Sequence, residues 1–328
     1  MMSNLTRKFN KETLKSKVVV NRTTEVVANV LKYILLFGLC FIIIYPILLQ
    51  IAVALRYPTD INDATVLWIP KRFSLKNFEV AMIALKYETS LWNSIWISFV
   101  VTLLQLFSTS LAGYAFARLK FKGSQFLFTM ALFTIIVPQT VISLPLLRTL
   151  TELNLVGKPL SLFLMAGLGM GIKSGIFIFL FRQFYRGIPV ELEEAAYVDG
   201  ASPLQVFNKV MLPNARGAIL TVTILSFVWQ WNDYYFANLF SYTEGGFAVL
   251  STRLAGGTDR LFTVISGWVA AGLDFFKDIT DESIKGNNLF HGLIANTAAL
   301  LMMAPLLIGY FFFQKLFVES IERTGIVG

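Results

Sequence analysis

The chain has 328 residues, of which 55% are apolar and 30 are Phe, and its mean hydropathy is +0.65. That exceeds the roughly 45–50% apolar content of soluble domains and excludes a soluble globule, which would need far more polar surface to cover its core. The net charge of +8 comes with no basic stripe interleaved with aromatics, so no nucleic-acid partner is expected.

Residues 1–27 are polar and carry Arg7, Lys8, Lys11, Lys15, Lys17 and Arg22 against Glu12 and Glu25. The next apolar stretch, 31–55, is too long for a signal-peptide core and shows no small-residue cleavage site, so it reads as a first transmembrane helix. Cys40, the only cysteine, lies in this run, and no intramolecular disulfide can form. Further spans are expected at 92–116, 125–149, 159–184, 215–240 and 289–317. The third contains Pro138 and Pro145, which predict a kink. The single histidine, His291, has no His or Cys nearby to make a metal site. The stretch 261–276, sixteen residues with Asp274 inside it, is short for a span and reads as a helix packed on the outer face.

Six spans put both termini on one side. The 117–124 turn holds Arg118, Lys120 and Lys122 with no acid, whereas 56–91 holds five basic against four acidic residues and 241–287 four against six. Basic residues in short loops mark the cytoplasm. The expected organisation is a cytoplasmic tail at 1–30, a first span at 31–55, an extracytoplasmic loop at 56–91, a transmembrane core at 88–317 and a cytoplasmic tail at 318–328. The 187–213 loop would then face inward and the extended 241–287 loop outward.

The 187–213 segment reads as two short helices joined by a corner. Pro189 suits a first helical turn, and Glu191, Glu193 and Glu194 sit where the helix dipole favours anions. Leu192, Ala195 and Ala196 share one face, and Asp199-Gly200 ends the helix through a left-handed glycine. Ser202-Pro203 starts a second helix, Val206, Phe207, Val210 and Met211 give it an apolar stripe, and Pro213 ends it. From physics alone this is either a rigid knob for a groove on another protein or an amphipathic loop on the membrane surface.

Glu194-Ala-Ala-Tyr-Val-Asp-Gly-Ala201, followed by Phe207 and Leu212-Pro213, resembles the EAA loop of permease subunits in binding-protein-dependent ABC importers. The chain most resembles carbohydrate permeases of the maltose-transporter MalG type. Trp68-Ile-Pro, Phe73-Ser-Leu-Lys-Asn-Phe78, Asn93-Ser94, Ala112-Gly-Tyr-Ala-Phe-Ala-Arg118, Trp231-Asn-Asp-Tyr234 and Gln314-Lys-Leu-Phe-Val318 extend the likeness over most of the chain. It departs in two places: 241–287 is longer than the pattern, and the tail Thr324–Gly328 lacks the family's basic ending.

The resemblance implies an all-α polytopic membrane protein with the six helices of the type I ABC importer fold. It implies coupling helices that dock on an ATP-binding subunit through Glu194, Ala195, Ala196, Asp199, Gly200 and Ala201, with Phe207 and Pro213 as braces. It also implies the partners: a second, non-identical permease subunit, a dimer of ATP-binding-cassette subunits, an extracytoplasmic solute-binding protein and the lipid of the cell (inner) membrane. ATP and Mg belong to the ATPase, and this chain binds no cofactor. In line with that, no phosphate-binding Gly-x-x-x-x-Gly-Lys-Ser/Thr loop and no Ser/His/Asp, Cys/His or His-Glu-x-x-His set occurs, so no catalytic residue is expected. Gln139, Trp229, Trp231, Asn232 and Asp233 are candidates for a sugar path, since sugar sites combine aromatic faces with hydrogen-bonding groups. A secondary transporter would need a relay of buried ionisable groups, and Lys173 and Asp233 are the prominent candidates for one.

Overall fold

The computed structural model describes residues 2–57, 60, 69–241, 246–256 and 288–325, with side chains described from 24 to 315. The expected 261–276 helix, and most of the extended loop around it, lie outside the described residues. The described residues are helical apart from turns and a single antiparallel bridge between Arg56 and Phe73.

All six expected spans are occupied by helix, and three are unbroken: α1 (Met2–Ala54), α3 (Tyr87–Arg118) and the last helix, α14 (Asn288–Gly325). Their apolar stretches, Thr24–Ala54, Tyr87–Arg118 and Leu289–Lys315, are each long enough to cross a membrane. The N-terminal tail is not separate from the first span, because α1 runs through it without interruption. Between them α2 (Lys76–Leu85) is tied back to the end of α1 by Asn77, whose buried Nδ2 donates to the carbonyls of Ala54 at 2.9 Å and Arg56 at 2.6 Å.

The other three expected spans are broken. The third is α4 (Ser124–Ile136) followed by α5 (Gln139–Glu152), bent by 104°. The bend falls where Pro138 supplies no N–H and forces Val137 into extended backbone. The fourth is α6 (Leu160–Gly167) and α7 (Ser174–Gly187), separated by the glycine-rich stretch 168–173. Lys173 therefore stands not inside a helix, as the hydropathy suggested, but at the start of α7 with a left-handed φ of 59°. The fifth is α11 (Arg216–Trp231) and α12 (Tyr235–Ser241), with 232–234 between them, and a short helix α13 follows at 250–256.

The centre of the bundle is α3, whose buried face carries small polar residues at helical spacing: Ser90, Ser94, Ser98, Thr102, Gln105 and Thr109. In a bilayer, where burial of apolar side chains drives little helix association, small residues let backbones approach and hydroxyls bridge them. Gly113 continues the stripe. A Cβ there would lie 2.5 Å from Phe181 Cβ and 3.0 Å from the Arg182 backbone N, so only glycine allows α3 and α7 this close.

Three apolar clusters divide the bundle along its length. The first packs Val80, Leu85, Trp231 and Leu250 against Phe290, Leu293 and Ile294 of α14. The second gathers Ile97, Val101, Leu162, Met165, Phe236 and Phe240. The third joins Tyr114, Phe177, Phe181 and Tyr185 to Val206, Phe207 and Met211, and so reaches into the 187–213 loop.

Candidate functional site

The 187–213 loop folds as two helices at a corner. The first, α8 (Glu191–Val198), begins after Val190, so Pro189 stands just outside it rather than in its first turn. Glu191, Glu193 and Glu194 occupy that first turn, at the positive end of the dipole. The C-terminus closes as a Schellman motif: the Gly200 N–H donates to the Tyr197 carbonyl and the Ala201 N–H to the Ala196 carbonyl, both at 3.0 Å. Gly200 makes this possible with a φ of 81°.

The second helix starts on a capping box. The Gln205 N–H donates to Ser202 Oγ at 3.4 Å, and the Ser202 N–H donates to Gln205 Oε1 at 2.8 Å. From there α9 (Pro203–Val206) passes through a π-turn (Phe207–Met211) into α10 (Leu212–Asn214). Pro213 does not end the element; it sits in the first turn of α10 and is exposed. The chain then bends by 81° into α11. The π-turn places Phe207 and Met211 inward together. Phe207 packs its ring 5.2 Å from Tyr114 and 6.3 Å from Tyr185.

A charged pair anchors the other half. Glu193 is 5% exposed, and its Oε2 lies 3.2 Å from Nε of Arg118, the last residue of α3. Arg118 also donates through Nη2 to the Ile188 carbonyl just ahead of α8. The knob is thus fixed to the end of α3 by an ion pair and to α7 and α11 by an aromatic core. Of the three glutamates, Glu193 faces inward, and Glu194 and Ala195 face out; Ala196 and Ala201 pack half-buried on the core. The anchoring role of Glu193 is not visible in the motif, because its partner lies far away in sequence at the end of another helix.

What the knob presents outward is apolar. Val198 is 87% exposed, Leu204 61%, and Val190, Leu192 and Tyr197 about half. Exposed apolar patches of this kind mark protein–protein or membrane interaction sites.

The path candidates are not brought together. Trp231 is buried in the first cluster, donates its indole N–H to the Met302 carbonyl at 3.2 Å and packs on Phe227. Asp233 is spent on α12, accepting the Phe236 N–H at 3.1 Å and the Ala237 N–H at 3.0 Å, while its carbonyl accepts from Ser251 Oγ at 2.6 Å. Trp229 stacks on Phe177 with centroids 5.3 Å apart, and Asn232 is exposed and bonds back to the Val228 carbonyl. Gln139, half-buried, opens α5 beyond the 104° bend. Lys173 precedes the first turn of α7, and Asp233 caps the start of α12. Among the described residues no group of His, Cys, Asp or Glu could hold a metal.

Gln105 is a structural centre that no sequence motif marks. Buried at mid-span in α3, it donates through Nε2 to the Ile172 carbonyl at 2.7 Å and to Ser174 Oγ at 2.8 Å, and its Oε1 accepts from Ser226 Oγ at 2.7 Å. One amide therefore holds the α6–α7 break against α3 and α11. The signal was present: a lone Gln inside an apolar run is costly unless every polar atom finds a partner.

A profile of the family described as binding-protein-dependent transport system inner membrane component matches residues 109–323. The chain belongs to that family. As an ABC importer permease, it works in a transporter complex with a binding protein and an ATPase. It is 29% identical over 305 residues to the arabinooligosaccharides transport system permease protein AraQ of Halalkalibacterium halodurans, covering 91% of this chain and 98% of that one. The osmoprotective compounds uptake permease protein GgtD of Synechocystis is 32% identical over 219 residues, 65% of this chain and 72% of that one. Among solved structures, a bacterial ABC transporter for import of the acidic polysaccharide alginate superimposes with a TM-score of 0.66 at 20% identity, covering 89% of this permease and 97% of that chain.

Proposed function

We propose that this permease forms half of the translocation path for a sugar or oligosaccharide delivered by an extracytoplasmic binding protein, with both termini and the 187–213 loop in the cytoplasm. The other half is a second, non-identical permease subunit. ATP and Mg are bound by a dimeric ATPase whose cleft receives α8 and the Gly200 corner. The observation that carries this reading is the knob itself: an exposed edge of Val198, Leu204 and Leu192 on a body pinned to α3 by Arg118 and Glu193. A rigid-body movement of the ATPase would enter the membrane through that ion pair and through Phe207, and so reach α3, α7 and α11 together. Glu194, Ala195, Asp199 and Gly200 supply the contact face, and Ala196 and Ala201 its underside.

A carbohydrate cargo is supported by the relatives, whose names include arabinooligosaccharide, lactose and trehalose transport. Within this chain Gln139, Trp229 and Asn232 remain path candidates, and the partner permease can carry most of the sugar contacts. The test is uptake of a labelled panel of mono- and oligosaccharides by the reconstituted complex with its binding protein. Saturable uptake of one sugar class, dependent on ATP, is expected; uptake driven by an ion gradient without ATP contradicts the proposal.

A further inference from the structure

Where α3 turns through residues 117–124 into α4, the turn and the end of α7 line an open surface cavity of about 710 Å³. Its lining contains Arg118, Lys120, Lys122, Arg182 and Arg186, and no Asp or Glu. The charge of Arg118 is met by Glu193. Arg182 is different. It is 7% exposed, its Nε donates to the Phe116 carbonyl at 3.2 Å, its Nη2 to Gln125 Oε1 at 3.5 Å, and its guanidinium lies 3.9 Å from the centroid of the Phe128 ring. Among the described residues no carboxylate pairs with it, nor with Lys120, Lys122 or Arg186. A buried guanidinium held only by neutral groups, with Arg186 as a further positive charge in the lining, leaves a charge that an anion would balance.

The surroundings say what kind of anion. Phe126, which lines the cavity, is 65% exposed, and one helical face of α4 continues from it through Met130 at 41% and Phe133 at 50%. An apolar strip thus leads away from a basic cavity along a helix in the membrane. We infer that this cavity binds the phosphate headgroup of an anionic phospholipid, with Arg182, Lys120 and Lys122 on the phosphate and an acyl chain along Phe126, Met130 and Phe133. Basic cavities between helix ends on the cytoplasmic side suit such headgroups. Only the assignment to the inner leaflet rests on the orientation proposed above; lipid binding itself does not.

The test uses the whole complex, purified in mild detergent, delipidated, and reloaded with phosphatidylglycerol or phosphatidylcholine, with bound lipid counted by native mass spectrometry. Wild type should retain phosphatidylglycerol in preference to phosphatidylcholine. Each surface cation near a membrane contributes roughly a fivefold factor, so Lys120→Gln with Lys122→Gln should weaken retention about 25-fold. Arg182→Gln should weaken it about fivefold, and the exposed lysine pair keeps the test decisive if that variant folds poorly. Lys158→Gln, exposed and outside the cavity lining, should change nothing. Equal retention of the two lipids, or unchanged retention in the Lys120/Lys122 variant, overturns the inference. So does full displacement by millimolar inorganic phosphate, which would make this a site for a free anion.

Discussion

Gly200 holds its φ of 81° with open space around the position a Cβ would take. A side chain there meets no neighbour, so its whole cost is the left-handed backbone, about 1–2 kcal/mol and more for a β-branched residue. Gly200→Val should leave the complex assembled but shift the corner. Sugar-stimulated ATP hydrolysis should fall severalfold in a coupled assay, and a normal rate would show that the corner is not the coupling element. The pair Arg118 and Glu193 is tested by stability. Either residue changed alone to Leu strands a buried charge, at a cost of about 3 kcal/mol. Arg118→Leu with Glu193→Leu should cost less than the sum of the two, read from thermal melts in one detergent; strict additivity would mean that the ion pair contributes nothing. The glycine was legible in the sequence because a left-handed helix end is a local requirement. The inward turn of Glu193 was not, since it depends on where the end of α3 arrives.

At the level of elements, helix lies in each of the six segments that hydropathy marks, but three of those segments are broken. Two prolines predict a kink in the third span, but its 104° angle goes with the packing of α4 on α7 and of α5 in the second cluster, which local sequence does not encode. The α6–α7 break was hidden because Leu168–Ile172 is apolar, and hydropathy does not distinguish helix from apolar turn. What holds that break is Gln105. Interhelical hydrogen bonds in membranes contribute about 0.6 kcal/mol each, so Gln105→Leu, which removes three, should destabilise the permease by roughly 2 kcal/mol. The substitution should also raise proteolysis or cysteine labelling at 168–173; unchanged labelling would mean that the break is held by packing alone. Two of the five path candidates have local partners for a related reason: Trp231 and Asp233 have the right chemistry for sugar, but a buried indole N–H and a carboxylate serve equally well to bind a carbonyl and cap a helix, and here they make those bonds.

On the scale of the whole molecule, the three apolar clusters form a mechanical series. The third ties the 187–213 loop to α3, α7 and α11, and the first ties α11 to α2 and α14. The 187–213 loop is thus packed onto the centre of the bundle, and under the proposed function a push on the knob would be delivered there. The orientation on which this depends is checked by labelling: Ser124→Cys should react only with reagents that reach the cytoplasm, and Lys71→Cys only from outside. The reverse pattern would invert the molecule. The claim that the knob couples an ATPase to transport is tested most directly at Val198, which is 87% exposed and whose replacement should leave the fold of the permease intact. In proteoliposomes containing the full complex and loaded binding protein, ATP hydrolysis and sugar uptake are measured together for wild type and Val198→Glu. A carboxylate set into a desolvated docking surface should cost several kcal/mol, so both activities should fall at least tenfold while the melting temperature of the isolated permease stays the same. Wild-type hydrolysis and uptake in Val198→Glu would contradict the account.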